Sequence, residues 1–249
     1  MKRPQIVVEP DYAAMSRRAA AIIDQAVRER PEIVLALPTG ATPIETYRHL
    51  VALHRRTGTD WSRVTIFNLD EFVGVGADHP RSYARFMRDH LFNGLNVRPE
   101  RCHIPDGLAP DPAVEVARYE AAIEAAGGID LAVLGVGTNG HLGFNEPAPA
   151  LVAPTHVAEL TEQTWERNFP DLAREAQNDP ARRACFRRAY TMGMATILQA
   201  RRILLLASGE SKRRVLADAL GGTITPYNPA SFLQLHPQVT LVLDRAAAG

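Results

Sequence analysis

The sequence predicts an α/β fold built on a doubly wound, mainly parallel sheet. Several short apolar runs lack polar alternation, which is typical of strands buried on both faces. These runs alternate with segments in which apolar residues recur at helical spacing. Apolar residues make up 46% of the 249 residues, enough for one large core. We therefore expect a single domain over residues 1–249, with or without a small appendage.

The first half of the chain alternates strands and helices. Apolar residues recur at helical spacing over residues 11–29, and Asp11 suits the N-cap. The buried run 33–37 leads through a Pro/Gly/Thr turn into a helix over 44–56, and Pro43 fits its first turn because no N–H is needed there. The other elements predicted here are strands over 5–8, 64–69 and 102–105 and helices over 82–92 and 112–126.

The second half repeats this alternation after one poorly patterned stretch. The predicted elements are strands over 130–134, 157–160, 202–207 and 239–243 and helices over 191–200 and 211–220. Residues 162–190 are rich in Arg, Glu, Asn and Pro, with arginines at 182, 183, 187 and 188. Such a stretch indicates either solvated helix faces or a mobile lid.

Charge and composition exclude several classes of partner. Lys plus Arg equals Asp plus Glu at 28 each, so no overall field recruits nucleic acid or an acidic membrane. No stretch is long and apolar enough for a membrane span, and the N-terminal apolar run is too short for a signal peptide. The two cysteines, Cys102 and Cys185, suggest no disulfide framework. We expect a cytoplasmic protein with no nucleic-acid or membrane partner.

The stretch richest in chemistry follows the predicted strand 130–134. Residues 135–147 read GVGTNGHLGFNEP and carry Asn139, His141 and Glu146. An amide, an imidazole and a carboxylate delivered at the end of a parallel strand indicate a catalytic loop.

The same loop contains G-x-G-x-x-G, the dinucleotide-binding pattern, at Gly135, Gly137 and Gly140. That pattern binds a pyrophosphate only when a helix begins at its last glycine. Pro147 and Pro149 follow too closely for a helix to develop. We therefore expect tight backbone turns beside a small ligand, and no nicotinamide or flavin.

Two further segments could bind phosphate. The loop between strand 33–37 and helix 44–56 offers backbone N–H groups, two hydroxyls and a helix N-terminus, although an ordinary turn fits equally well. Lys212 lies in the first turn of a predicted helix, where a cation is disfavoured unless an anion binds; an exposed lysine is the alternative. The loop residues are Thr39, Gly40, Ala41 and Thr42.

Two adjacent carboxylates, Asp70 and Glu71, end the predicted strand 64–69. They indicate an acid/base site, or else a turn capped by Asp70. The carboxyl ends of parallel strands gather on one edge of a sheet, so these residues should lie near the two loops just described. The eight histidines show no metal-ligand spacing, and no metal site is predicted.

Six motifs stand out along the chain: LPTGATP (37–43), NLDEFVG (68–74), HPRSYARFM (79–87), GVGTNGHLGFNEP (135–147), SGESK (208–212) and ASFLQLHP (230–237). In their order and nearly in their spacing, they resemble the glucosamine-6-phosphate deaminase family. Among them G-x-N-G-H-x-x-F-N-E-P is specific, since the related 6-phosphogluconolactonases share a similar phosphate loop but not the F-N-E-P ending. The resemblance implies a modified Rossmann-like sheet with a small antiparallel appendage.

The resemblance also implies the reaction: an amino-sugar 6-phosphate becomes fructose 6-phosphate and ammonia, without metal or organic cofactor. By this resemblance Asp70 is the base that moves a proton between C2 and C1, and His141 opens the pyranose ring. Glu146 and Asn139 orient the imidazole. The implied phosphate ligands are Thr39, Gly40, Ala41, Thr42 and Lys212.

The chain departs from the family at the lid, expected within residues 150–190. Asn168–Asp171 carries no arginine where relatives place one over the phosphate, which leaves Arg167 or one of the arginines over 182–188 as substitutes. Residues 153–157 read APTHV instead of the effector-binding S-R-T-R-V, so activation by N-acetylglucosamine 6-phosphate is not expected. Galactosamine 6-phosphate as substrate, a regulator that binds without turnover, and a homo-oligomer all stay open.

Overall fold

A computed structural model describes residues 4–175 and 186–249. Its centre is a seven-stranded sheet in which every neighbouring pair runs parallel. The predicted mainly parallel α/β fold is confirmed. In spatial order the strands are β1 (Gln5–Glu9), β10 (Val239–Asp244), β9 (Arg202–Ala207), β6 (Leu131–Leu134), β2 (Val34–Leu37), β3 (Thr65–Asn68) and β5 (Cys102–His103), numbered along the chain.

Helices cover both faces of this sheet. Alternate residues of β2 enter two different cores: Val34 and Ala36 pack on one side, Leu35 and Leu37 on the other. The central strands β2, β3 and β6 are therefore buried on both faces, which explains their unbroken apolar runs. The helices are α1 (Tyr12–Glu29), α2 (Ile44–Thr57), α3 (Tyr83–His90), α4 (Pro112–Ala125), α5 (Glu162–Asn168), α6 (Pro170–Glu175), α7 (Met194–Leu198), α8 (Arg213–Leu220) and α9 (Arg245–Ala248).

A three-stranded antiparallel sheet forms the appendage, in the order β4 (Asp70–Phe72), β8 (Arg188–Thr191) and β7 (His156–Glu159). A single residue, Leu69, separates β4 from β3. Its N–H donates to Leu37 O at 3.1 Å, and its carbonyl accepts from Met192 N at 2.7 Å. The chain therefore passes from the large sheet to the small one at Leu69.

The helix predicted over 191–200 is wrong at its start. Thr191 is the last residue of β8 and lies opposite both Asp70 and His156. Pairing with strands on both sides fixes this residue as extended, and α7 begins only after Gly193.

A separate aromatic core lies beneath the small sheet. We call it the aromatic cluster; its members are Phe72, Val75, Phe144, Leu160, Trp165, Phe169 and Ala189. Phe72 lies 4.7 Å from Phe169 and 5.5 Å from Phe144, measured between ring centroids. The cluster joins β4, the loop after β6 and α5 into one packed unit.

The sheet reverses its winding between β2 and β6. These strands are neighbours, yet the chain leaves β2 toward β3 on one side and leaves β6 toward β9 on the other. In open α/β sheets, ligands bind in the crevice at such a point, outside the carboxyl ends of the strands. The loops over 38–43 and 135–155 border that crevice. Within the described ranges, no helix is long and apolar enough to cross a membrane.

Candidate active site

The loop over residues 135–147 folds back on itself at glycines. Gly140 has φ +92° and donates to Gly137 O at 3.1 Å, while Gly137 N donates to His141 O at 2.9 Å. A Cβ on Gly137 would lie 2.3–2.5 Å from three atoms of the His141 ring. The imidazole thus occupies the space that any larger residue at position 137 would need.

Within this loop the predicted polar residues contact the carboxylate of Glu146. Its Oε1 lies 3.4 Å from His141 Nδ1, and its Oε2 accepts from Asn139 Nδ2 at 2.7 Å. Asn139 Oδ1 in turn accepts from the backbone N–H of His141 at 3.2 Å. A third side chain, Thr164 on α5, donates its hydroxyl to Oε1 at 2.8 Å. The structure thus brings Asn139, His141 and Glu146 together and adds Thr164.

These contacts set the charge of Glu146. Burial alone would raise the pKa of its carboxyl, but the neighbouring His141, Asn139 and Thr164 outweigh that effect and lower the pKa to about 2. The carboxylate is therefore ionised throughout the neutral range. An ionised carboxylate beside one ring nitrogen favours the tautomer that carries its proton there.

Asp70 has the opposite surroundings. Its side chain is buried, with 7% of the residue exposed, and Oδ1 has no hydrogen-bond partner among the described residues. Burial, and secondarily the charge of Glu71, raises the pKa of this carboxyl from 3.8 to about 8. Such a group can hold or release a proton near neutral pH.

The Asp70 carboxyl lies against the loop that carries His141. A Cβ on Gly143, whose φ is +59°, would lie 3.6 Å from Asp70 Oδ2 and 2.8 Å from Thr191 Oγ1. Thr191 Oγ1 also accepts from Phe144 N at 3.0 Å. Strand β4 and the loop after β6 therefore meet at Asp70.

Glu71 points away from the crevice and serves the fold. Its two carboxylate oxygens accept from Ser82 Oγ at 2.7 Å, Ala84 N at 3.0 Å and Tyr83 N at 3.1 Å. Because successive strand residues face opposite ways, the adjacent carboxylates separate, and Glu71 caps the start of α3.

The predicted phosphate loop joins β2 to α2 at the crevice. The N-cap position of α2 is Pro43, which supplies no side-chain cap, and the Tyr12 hydroxyl accepts from Glu45 N in the first turn at 3.4 Å. Gly40 has φ +100°, and a Cβ there would meet no heavy atom within 4 Å. Tyr12 hydroxyl lies 3.0 Å from Ala41 O and 3.1 Å from Thr42 O and fixes the loop from outside. This helix end is available to an anion.

Lys212 lies on the same sheet edge, after β9. It ends a 3-10 turn and is half-buried immediately before α8. The preceding turn is anchored by Asp244, which accepts from Ser208 Oγ at 2.5 Å and from Gly209 N at 3.1 Å. The strand order puts β9 two strands from β2.

Sequence analysis missed Tyr83, which links the phosphate loop to Asp70. Desolvation and the nearby Asp70 raise the pKa of this phenol well above its ordinary value, while a hydrogen bond with Thr39 opposes the shift. Its ring centroid lies 4.8 Å from that of Phe72. The motif HPRSYARFM contained it, but only the fold of β4 shows which way it faces.

The expected lid arginine is only partly accounted for. Arg182, Arg183 and the side chain of Arg167 lie outside the described part of the structure, as does Cys185. Arg187 pairs with Glu162 at 2.7 Å and lies 3.8 Å above the ring of Trp165. Arg187 therefore helps to hold α5 in place.

Comparisons with known proteins agree with this architecture. Residues 11–145 match the family described as glucosamine-6-phosphate isomerases/6-phosphogluconolactonase. The glucosamine-6-phosphate deaminase of Thermoanaerobacter pseudethanolicus is 43% identical, over 98% of this chain and 94% of its own. That of Rhodopirellula baltica is 45% identical, again over 98% and 94%.

Solved structures extend the likeness. A monomeric glucosamine-6-phosphate deaminase superposes with a TM-score of 0.88 at 39% identity, covering 98% of both chains. The 6-phosphogluconolactonase of Trypanosoma cruzi shares the fold, with a TM-score of 0.77 at 21% identity over 99% of this chain and 96% of its own. The predicted resemblance is confirmed, and the chain belongs to the glucosamine-6-phosphate isomerase/6-phosphogluconolactonase family.

Proposed function

We propose that this protein is a glucosamine-6-phosphate deaminase, which converts glucosamine 6-phosphate and water into fructose 6-phosphate and ammonia. Relatives named for that activity match nearly the whole chain at about 43% identity. The observation that carries the proposal is the meeting of the buried Asp70 with the loop of His141 and Glu146 at the crevice.

Ring opening is assigned to His141. The pyranose opens when a proton leaves the C1 hydroxyl and another reaches the ring oxygen, and an imidazole can do both. The ionised Glu146 at 3.4 Å from Nδ1 stabilises a proton on that nitrogen. The other nitrogen then remains free to exchange protons with the sugar.

Isomerisation is assigned to Asp70. In the open-chain aldehyde the C2 proton is acidic; the base removes it and returns it to C1, while O1 gains a proton and the amino nitrogen loses one, which yields a 1-hydroxy ketimine at C2. Water then adds to the imine carbon and ammonia leaves. With a pKa of about 8, Asp70 is mostly protonated in the free protein at neutral pH, and the ammonium of a bound amino sugar favours its charged form.

The phosphate is assigned to the N-terminus of α2 and to Lys212. The helix end at Pro43 and the open space at Gly40 support the first assignment. Lys212 supports the second by its place at the same sheet edge. We further propose that this one domain has a lid within residues 150–190, because α5 contributes Thr164 directly to Glu146.

The test is an assay of the purified protein with glucosamine 6-phosphate, in which ammonia and fructose 6-phosphate are measured separately. Equal amounts of both products are expected, and Asp70→Asn and His141→Gln should each strongly lower the rate at which both form. Galactosamine 6-phosphate and 6-phosphogluconolactone serve as alternative substrates. A higher kcat/KM on either would overturn the assignment, as would thermal stabilisation by glucosamine 6-phosphate without product.

A further inference from the structure

Thr164 is the one contact of Glu146 that comes from outside the catalytic loop in the described structure. His141 and Asn139 reach Glu146 from within residues 135–147, whereas Thr164 lies on α5. Its hydroxyl donates to Oε1, the oxygen nearest His141, at 2.8 Å. The orientation of that oxygen therefore depends on a separate segment of the chain.

The hydroxyl of Thr164 has a fixed direction. Thr161 Oγ1 donates to Thr164 Oγ1 at 2.9 Å, so the Thr164 hydroxyl accepts there and donates its own proton to Glu146. Thr161 also caps α5 by accepting from Thr164 N at 3.2 Å. A hydroxyl donating to an ionised carboxylate is one of the stronger hydrogen bonds in proteins.

The aromatic cluster determines where α5 lies. Trp165, the residue after Thr164, is fully buried, and Phe169 at the end of the helix packs on Phe72. Phe72 follows Asp70 and Glu71 on β4, and Phe144 belongs to the catalytic loop. When α5 packs on this cluster, Thr164 reaches Glu146; if α5 moved away, Glu146 would keep only the two contacts from its own loop.

We propose that Thr164 is a positioning residue that holds the Glu146 carboxylate against His141 only while α5 is packed on the aromatic cluster. The inference rests on the proposed function, because it assigns to the packed α5 the state competent for ring opening. The low pKa of Glu146 supports it, since Thr164 is among the groups that lower this pKa.

The experiment compares Thr164→Val, Thr164→Ser and Thr161→Val. Valine keeps the shape of threonine without the hydroxyl, and serine restores the hydroxyl. Thr161→Val is the comparison variant, because it removes the helix cap and the hydrogen bond into Thr164 Oγ1 but leaves Thr164 its own hydroxyl. We expect Thr164→Val to lower kcat about tenfold or more. KM for the sugar phosphate should stay within about twofold of the wild-type value, because the lost interaction is specific to the transition state. Thr164→Ser should recover most of kcat. Thr161→Val should lower the melting temperature, and its loss of kcat should be smaller than that of Thr164→Val, because the Thr164 hydroxyl can still donate to Glu146.

Two measurements distinguish failure of the proposed role of Thr164 from failure of the deaminase assignment. Crystal structures of the variants should show the Glu146 carboxylate turned away from His141 in Thr164→Val and in place in Thr164→Ser. Calorimetry with 2-amino-2-deoxyglucitol 6-phosphate, which has no ring to open, should give unchanged affinity. An unmoved carboxylate, or equal loss of kcat in Thr161→Val and Thr164→Val, would overturn the role of Thr164. A wild-type protein that forms no ammonia while Thr164→Val still displaces Glu146 would overturn the deaminase assignment alone.

Discussion

Asp70 and Glu146 carry the same functional group in opposite surroundings. The Asp70 carboxyl is buried where the two sheets meet, one of its oxygens has no hydrogen-bond partner among the described residues, and its pKa is raised to about 8. Glu146 lies in a glycine-rich loop, where three side chains approach it and its pKa falls to about 2. Two titratable groups whose environments push their pKa values apart are suited to different tasks. The first can exchange a proton; the second keeps a constant charge.

The largest effect should come from removing the exchangeable proton. Asp70→Asn keeps the shape of the side chain but cannot take up a proton from C2, so kcat should fall about 10³-fold, within the usual range for a general base. Steady-state assays of product release check this. Glu146→Gln should lose less, because it removes an orienting charge while His141 remains. If Glu146→Gln lowered kcat more than Asp70→Asn, the roles of the two carboxylates would be reversed.

A second prediction concerns the space that His141 occupies. Gly137→Ala would put a methyl group 2.3–2.5 Å from the ring, so the imidazole must move away from its present place. Displacement by about 1 Å can cost about 100-fold in rate, and we expect a loss of kcat of that order. Gly135→Ala is the control, because a Cβ there meets no atom within 4 Å. Equal activities of the two alanine variants would contradict the close approach of His141 to Gly137.

A third prediction uses pH to isolate Asp70. Because the base must be charged, kcat/KM should rise with pH through an apparent pKa near 8. Glu71→Gln removes the second cause of that raised pKa and should move the rise to lower pH by less than about one unit. It should also destabilise the protein by about 1–2 kcal/mol, since the cap of α3 loses one acceptor oxygen. A pH profile identical to wild type would assign the rise to another group.

The smallest effect is on stability. The folded pKa of Asp70 (about 8) exceeds its ordinary value of 3.8, so the folded protein retains a proton that the unfolded chain releases. Stability therefore falls as pH rises from 3.8 to about 8. Asp70→Asn escapes this cost and should melt at least about 3 °C above wild type at pH 8, with the gain absent below pH 4. Scanning calorimetry at pH 8 and below pH 4 measures these melting temperatures. A gain of equal size at both pH values would indicate that the asparagine side chain stabilises the fold by better packing and not by removal of the titrating carboxyl.

Sequence patterns could predict the parts of this molecule that depend on local residues. The buried runs of β2 and β6 and the cap at Asp11 follow from hydrophobicity and side-chain length, and Asp11 does accept from Ala14 N at 2.7 Å. Asn139, His141 and Glu146 were found because they share one loop. Their assigned roles stay predictions.

Other features depend on contacts between distant segments. Glu71 could not be told from Asp70 until the register of β4 was known, and Thr164 stood in a stretch without a clear period. The extended conformation of Thr191 likewise comes from pairing with β4 and β7, which outweighs the local preference for helix. Long-range pairing carries little signal in a single sequence.

The one-residue junction at Leu69 has a consequence for how this protein can change in evolution. Its N–H is bonded to Leu37 of β2 and its carbonyl to Met192, the residue after β8, so the backbone is held on both sides. Since side chains alternate along a strand, inserting a single residue after Leu69 would move Asp70 into the present position of Glu71 and Glu71 into that of Phe72. The carboxyl needed in the crevice would then lie at the helix cap. We expect lengths between β3 and β4 to be invariant in functional descendants, whereas insertions elsewhere on the surface can accumulate.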